Sequence, residues 1–278
     1  PSLISSDDFL AAIDGNDTDK ISRYLEENGI LQDSYYFVSS VSDAPLQLPG
    51  TLSFRVGINH YGYLSCSPYD RNLLEEASRS PGVLGIGVYP LAVTARDFQM
   101  AFYKYTSMAY HFFMNPECRI CDTYHDFHSV PLMLQIQKAV SFAEKERLCE
   151  LLTQLKEGDS YKQLSIHSAQ LLYNMIISNP QLVVNPQDYM LYNYRQLVHE
   201  YASFTELLDS LLQLINAAPE THEESEGLSN VYFLRIMKYV NTYYHENITL
   251  RDVAKMVNLN PNYISQLFKK SAGTTFSH

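Results

Sequence analysis

The sequence lacks long apolar runs and also lacks the layout of a secretory signal. No uninterrupted apolar stretch approaches the roughly 20 residues that a membrane-spanning helix needs. The first residues do not follow the order of an exported chain, in which basic, then apolar, then small residues precede a cleavage site. We therefore expect a protein that has no membrane segment in this chain and works in the cytoplasm.

Cysteine and glycine are scarce. The chain of 278 residues has four Cys, two of which, Cys66 and Cys149, stand alone in the sequence. This excludes the disulfide frameworks of small secreted proteins and fits a reducing compartment. With 11 Gly and 46% apolar residues, the composition also excludes disordered and fibrous chains. The length predicts two or three folding units.

Common catalytic signatures are absent from the sequence. There is no Gly-rich phosphate loop, no G-x-S-x-G elbow and no H-E-x-x-H helix. Two isolated histidines on helical patterns, His111 and His167, are more typical of packed or solvated side chains than of catalytic ones. We expect neither enzymatic activity nor a cofactor.

The first 128 residues predict an α+β domain. Two short helices come first, with Ser6 and Asp17 as caps and Gly29 as a helix stop. A long aromatic-rich helix is predicted after a capping box of Thr94 and Asp97. Between these helices lie four β-rich segments, with a helical pattern between the third and the fourth; the segments are YYFVSSV, TLSFRVGI, YGYLSCS and VLGIGVYP.

Residues 129–218 predict an all-α connector, because their apolar positions recur at spacings of three and four. Its leucine stripes, LLTQLKEG and LLDSLLQLI, favour a buried core, with a dimer seam as the alternative. Residues 219–229 predict a solvated acidic linker, since the segment PETHEESEG has four Glu and no side chain for a core. Residues 230–278 then form the last predicted unit.

Charge is divided unequally along the chain. Residues 230–278 have six basic and two acidic side chains, a net of +4, whereas the first 229 residues have a net of −15. A basic module therefore follows an acidic body, and its charge would let that end of the protein approach phosphates.

Spacing in the basic module predicts a helix-turn-helix. Thr249 can cap a first helix with apolar positions at three-four-three spacing. Asn258 can end that helix in the left-handed conformation, and Leu259 can fill the turn. Asn260 can cap the second helix, and Pro261 suits its first position.

The second helix has two different faces. Ile264, Leu267 and Phe268 form an apolar face that is predicted to pack on the preceding segment FLRIMKYVNTYY. The opposite face has amide, hydroxyl and ammonium groups, which suit base edges and phosphates in a major groove, from Asn262, Ser265, Gln266 and Lys269. No acidic residue occurs after Asn258. A helical hairpin with a polar solvent face is the alternative interpretation.

The segment ITLRDVAKMVNLNPNYISQLFKKSAGTTF resembles the first helix-turn-helix of the bacterial AraC-type (AraC/XylS) transcription regulators. Together with the helix before this segment, the resemblance covers about fifty residues, and it rests on the V-A pair, the Asn-Pro-x-Tyr turn, Phe-Lys-Lys and Gly-x-x-Phe. It implies a site that contacts promoter DNA through Asn262, Tyr263, Ser265, Gln266, Lys269 and Lys270. Where many relatives have Arg, this chain has Gln266, which favours adenine over guanine.

The resemblance also implies a second helix-turn-helix, and the chain stops at His278, where the joining helix would begin. Because it also starts at Pro1 without Met, we expect a fragment of a longer protein. The body is weakly similar to the degenerate GGDEF-like domain of AraC-type response regulators. That similarity implies the output part of a two-component or sensor-coupled system, with a receiver or sensor domain upstream. The hairpin INHYGYLS has no acidic residue to hold a cyclase metal, so we expect no cyclase activity.

One stretch, CRICDTYHDFH, favours different chemistry. It has four residues in an order that could bind zinc, namely Cys118, Cys121, His125 and His128. Structural zinc sites usually separate their ligand pairs by about a dozen residues, so an edge strand is the better interpretation.

The sequence therefore predicts a DNA-binding regulator whose partners are double-stranded promoter DNA and a second copy of the chain. The alternative is a metal-binding or ligand-binding sensor whose helix-turn-helix contacts another protein.

Overall fold

The computed structural model describes residues 6–123, 125–218, 249–257, 259 and 261–272, together with five positions between 233 and 240. The chain divides into two compact units, one of residues 1–125 and 162–166, the other of residues 126–161 and 167–278. The predicted α+β class is confirmed, because these residues form one five-stranded mixed sheet and a set of helices. The predicted linker 219–229 lies outside the described residues.

The sheet of the first unit has the strand order β2-β3-β1-β4-β5. Its strands are β1 (Tyr36–Ser42), β2 (Thr51–Gly57), β3 (His60–Ser65), β4 (Val83–Val88) and β5 (Ile120–Cys121). Neighbouring strands are antiparallel except β4 and β5, which are parallel. All four predicted strands are confirmed, and the Cys118–Cys121 stretch supplies the short edge strand that its alternation predicted.

Helices cover both faces of this sheet. They are α1 (Ser6–Asp14), α2 (Thr18–Glu27), α3 (Arg71–Ser78) and α4 (Phe98–Met108). On one face, α1, α2 and α4 enclose an aromatic core in which Phe9, Phe37 and Phe98 are fully buried. On the other face, α3 packs through Leu74 against Ile86 of β4. Alternate residues of the strands thus serve two separate cores.

Two glycines let α4 lie directly on β4. A Cβ atom on Gly85 would stand 2.2 Å from the carbonyl oxygen of Ala109, and one on Gly87 would stand 2.6 Å from that of Tyr105. The Ser39 hydroxyl of β1 donates to the same Tyr105 carbonyl over 2.8 Å. The sequence VLGIGV therefore combines strand propensity with the absence of side chains that this contact requires.

The predicted start of α4 was wrong. Thr94 donates its hydroxyl to the Asp97 carboxylate over 2.9 Å, and no side chain caps a backbone N–H group at this helix start. The helix begins at Phe98 and ends at Met108, and a short 3₁₀ turn follows at His111–Phe113. By contrast, Asp17 caps α2 as predicted by accepting from the Lys20 N–H, and Gly29 follows the helix end with φ 85°.

The second unit is helical where the structure describes it. Its helices are α5 (Pro131–Ser141), α6 (Lys145–Glu157), α7 (Ile166–Ile177), α8 (Tyr194–Glu200), α9 (Phe204–Ala217), α10 (Leu250–Val257) and α11 (Pro261–Ala272). The predicted core role of the leucine stripes is confirmed, since Leu151 and Leu155 of α6 and Leu208 and Leu211 of α9 are buried. Among the described helices, none is long and apolar enough to cross a membrane.

Candidate nucleic-acid interface

The first helix of the predicted pair, α10, begins with a reciprocal cap. The Asp252 N–H donates to the Thr249 hydroxyl over 3.3 Å, while the Thr249 N–H donates to the Asp252 carboxylate over 2.8 Å. The cap is a capping box with Asp in the place of the usual Glu. Hydrogen bonds from Thr249 lower the pKa of the Asp252 carboxyl, because they favour its charged form. The predicted role of Thr249 is confirmed.

A tight turn separates the two helices. The Leu259 N–H donates to the Ala254 carbonyl over 3.0 Å. This is the 6→1 backbone hydrogen bond of a Schellman motif. The Leu259 side chain packs against the apolar cluster of the two helices, as predicted. Helix α11 then begins at Pro261, also as predicted. The predicted left-handed Asn258 and the predicted cap Asn260 lie outside the described residues.

The apolar faces of α10 and α11 meet in one cluster. Its buried members are Ile236, Val253, Ala254, Val257, Ile264, Leu267 and Phe268. The ring of Phe233 meets that of Phe268 edge-on, with centroids 5.2 Å apart. These contacts confirm that α11 turns Ile264, Leu267 and Phe268 toward α10 and the described part of the segment 233–240.

The opposite side of α11 faces solvent. Asn262, Gln266 and Lys269 are exposed, and Ser265 is half-buried at the border of the two faces. We call these four residues the polar stripe. Over the seven steps from Asn262 to Lys269 a helix rises about 10 Å, so the stripe offers amide, hydroxyl and ammonium groups along two turns. The structure places Tyr263 and Lys270 on the same helix but does not describe their side chains.

The helix-turn-helix as a whole is basic. Between positions 249 and 272 the only acidic residue of the sequence is Asp252, and its carboxylate is bonded to Thr249. Two further exposed cations, Arg251 and Lys255, lie one helical turn apart on α10. From the sequence, these two residues contributed only to the net charge. Their spacing of four residues was the signal that could have assigned them to a common face.

The four zinc candidates show no arrangement for a metal. Among the described residues, no group of three or more His, Cys, Asp or Glu side chains is placed to hold a metal ion. The thiols of Cys118 and Cys121 donate to the carbonyls of Ile120 and Thr123, each over 3.2 Å. Burial raises the pKa of Cys121 to about 12, which disfavours the thiolate that zinc requires. His125 is half-buried, and His128 is exposed.

Comparison with known proteins gives one distant relative. Over 120 residues the chain is 27% identical to the Msm operon regulatory protein of Streptococcus mutans serotype c. The aligned stretch covers 42% of this chain and 40% of that relative, so the chain spans well under half of the relative's length. No protein family model matches the chain, and no solved structure matches it.

Proposed function

We propose that this protein is a sequence-specific DNA-binding transcription regulator of the AraC type, which acts in the cytoplasm and reads double-stranded promoter DNA through α11. The observation that carries the proposal is the polar stripe. Asn262, Gln266 and Lys269 of the stripe are exposed to solvent, while the apolar face of Ile264, Leu267 and Phe268 anchors the other side of the helix.

The chemistry of the polar stripe suits a major groove. An amide such as that of Gln266 can both donate to and accept from an adenine edge, and so distinguish it from the other bases. Asn262 lies in the first turn of α11, and it is the N-terminal residues of recognition helices that contact base edges. Lys269, two turns further along, is suited to a phosphate, a contact that adds affinity with little sequence preference.

The local charge supports the approach of a polyanion. The net charge of +4 in residues 230–278 stands against −15 in the rest of the chain. Attraction between Lys or Arg and phosphates is local, because salt screens exposed charges over about 10 Å at moderate ionic strength. An acidic body is therefore compatible with DNA binding at the opposite end of the sequence.

The similarity to an operon regulatory protein supports a role in gene regulation. The finer parts of the proposal rest on the resemblance of residues 248–276 to AraC-type regulators: promoter recognition, a homodimer, and a signal from a receiver or sensor domain. The proposal assigns the protein no catalytic activity. The β2–β3 hairpin has no carboxylate at its turn, where a nucleotide cyclase would hold its metal.

Selection from random double-stranded DNA tests the proposal directly. The full chain would be incubated with the pool, bound DNA recovered and sequenced, and binding of the enriched site and a shuffled site compared by fluorescence anisotropy. We expect a recurrent motif and tighter binding of the enriched site, with both affinities falling as salt rises. A pool that stays random after repeated rounds would contradict sequence-specific recognition.

A further inference from the structure

A groove lies beside the helix-turn-helix, between α10 on one side and α5 and α7 on the other. Its volume is about 410 Å³, within the size range of small-molecule sites. Val140 and Met175 form its buried apolar floor, and Leu171 and Leu259 border it. We propose that this groove binds a small amphipathic organic anion, a molecule with an apolar body and one carboxylate, phosphate or sulfonate group.

The charge of the groove selects an anion. Arg251 and Lys255 both line it from α10, and both are exposed. In the part of the chain that the structure describes, no carboxylate lies within ion-pair distance of Arg251. Lys255 has Asp252 nearby but forms no ion pair with it among the described residues, and two cations beside one carboxylate leave this part of α10 with a net positive charge. Both cations can therefore meet an anionic group of a ligand.

The wall opposite the cations is already organised. The Asn179 amide donates to the Val140 carbonyl over 2.8 Å and accepts from the Gln181 N–H over 2.9 Å. The first bond ties the segment after α7 to α5, and the second holds the Asn179 amide in place at the polar edge of the apolar floor. Ligand binding would not have to order this wall, which reduces its entropic cost.

The groove has two unlike halves, and this is why the ligand must be amphipathic. A fully polar anion would leave the apolar lining of Val140, Met175 and Leu171 uncovered, whereas a neutral apolar molecule would offer no charge to Arg251 and Lys255. Because the ligand would contact both the connector helices and α10, it would restrain the orientation of the helix-turn-helix. The inference does not depend on DNA recognition by α11.

Two matched probes test the inference on the full chain: anilinonaphthalene sulfonate, and N-phenylnaphthylamine, which has the same rings without the sulfonate. Their fluorescence rises in apolar surroundings, so titration gives the affinity of each. We expect the sulfonate probe to bind about fivefold more tightly, a preference that two partly exposed cations can supply. Equal affinity for the two probes, or no saturable binding, would overturn the proposal.

Variants locate the effect. The pair Arg251→Gln and Lys255→Gln should abolish the preference for the sulfonate probe while leaving the affinity for the neutral probe unchanged. Lys138→Gln removes an exposed cation of α5 that does not line the groove, and it should leave both affinities unchanged. If Lys138→Gln had the same effect as the double variant, net charge and not the groove would select the anion.

Two further outcomes identify a different occupant. Inorganic phosphate and an unlabelled amphipathic anion such as dodecanoate would each compete with the sulfonate probe at constant ionic strength. If phosphate displaced the probe as effectively as dodecanoate does, the apolar floor would have no role, and the proposal would be wrong. A variant with Gln in place of the four Glu of the segment 219–227 tests whether this acidic segment occupies the groove. If its affinity for the sulfonate probe rose tenfold or more, the segment would compete with the probe and would be the occupant. That result would also overturn the proposal. Circular dichroism of each variant checks that the helices are retained.

Discussion

The backbone N–H of Leu259 donates to the carbonyl of Ala254 over 3.0 Å and closes the turn between α10 and α11. This bond lets the Leu259 side chain reach the apolar cluster, and only three residues separate the end of α10 from Pro261. The direction of α11, and with it the direction of the polar stripe, therefore depends on a short and specific piece of backbone. At the other end of α10, the cap formed by Thr249 and Asp252 fixes where the helix begins.

Replacing Thr249 with Ala should destabilise the helix-turn-helix by about 1 kcal/mol, because the first turn of α10 loses the hydroxyl that accepts from the Asp252 N–H. Urea unfolding followed by far-ultraviolet circular dichroism would measure the change. Thr249→Ser keeps the hydroxyl and is the matched control. Equal losses in the two variants would show that the methyl group of Thr249, and not its hydroxyl, stabilises this end of the helix.

The same cap should make stability depend on pH. The folded state lowers the pKa of Asp252 below its ordinary value of 3.8 through hydrogen bonds from Thr249. Asp252 therefore stabilises the folded protein above its unfolded pKa, and this contribution is lost as pH falls through the folded pKa. Unfolding of the native chain and of Asp252→Asn at pH 7 and pH 3 would reveal it. The variant should lose less stability on acidification than the native chain; an identical loss would contradict the assignment.

Gly85→Ala should destabilise the first unit by about 2–3 kcal/mol, because its new methyl group would overlap the Ala109 carbonyl and force α4 away from β4. Thermal unfolding would measure the loss. Gly15→Ala is the matched control: its Cβ would stand 3.4 Å from the Ala11 carbonyl, an ordinary contact, and its effect should stay within about 0.5 kcal/mol. Similar losses in both variants would argue against close packing of α4 on β4.

Lys269→Ala should weaken binding to the enriched DNA site and to a shuffled site by the same factor. An ammonium group that contacts a phosphate contributes to every sequence alike, and its loss should reduce the salt dependence by about one counterion. Anisotropy titrations at several salt concentrations give both quantities. Lys138→Ala, which removes an exposed cation of α5, should change neither. A loss confined to the enriched site would place Lys269 at a base and not at a phosphate.

Much of the fold could be predicted because local signals agree with the tertiary structure. The four strands combine β-branched or aromatic residues with nearby turn residues. Asp17 stands directly before a helical pattern, where an aspartate typically caps the helix, and the local signal and the tertiary structure agree. The predicted box of Thr94 and Asp97 failed for a specific reason. Both residue types are at the expected spacing, but the Thr94 hydroxyl bonds only to the Asp97 carboxylate, and the helix begins at Phe98 without a side-chain cap.

Other features could not be predicted from local pattern. The break between α5 and α6 has Ala143 in the left-handed conformation, with φ 52°, and an alanine gives no sign of a helix break. The polar stripe was predictable, since its three-four spacing is a property of one helix. The groove was not, because it joins Val140 and Met175 to Lys255, and residues so far apart in the sequence meet only through tertiary packing.

The most direct test of the account is the specificity ratio of Gln266→Ala, that is, the affinity for the enriched DNA site divided by the affinity for a version in which one adenine–thymine pair is replaced. Gln266 is exposed in the polar stripe, so its removal should leave the fold intact. We predict that the variant loses about 1–3 kcal/mol of discrimination at one base pair and keeps the native affinity for shuffled DNA. A specificity ratio equal to that of the native chain at every position of the site would contradict base recognition by this face of α11.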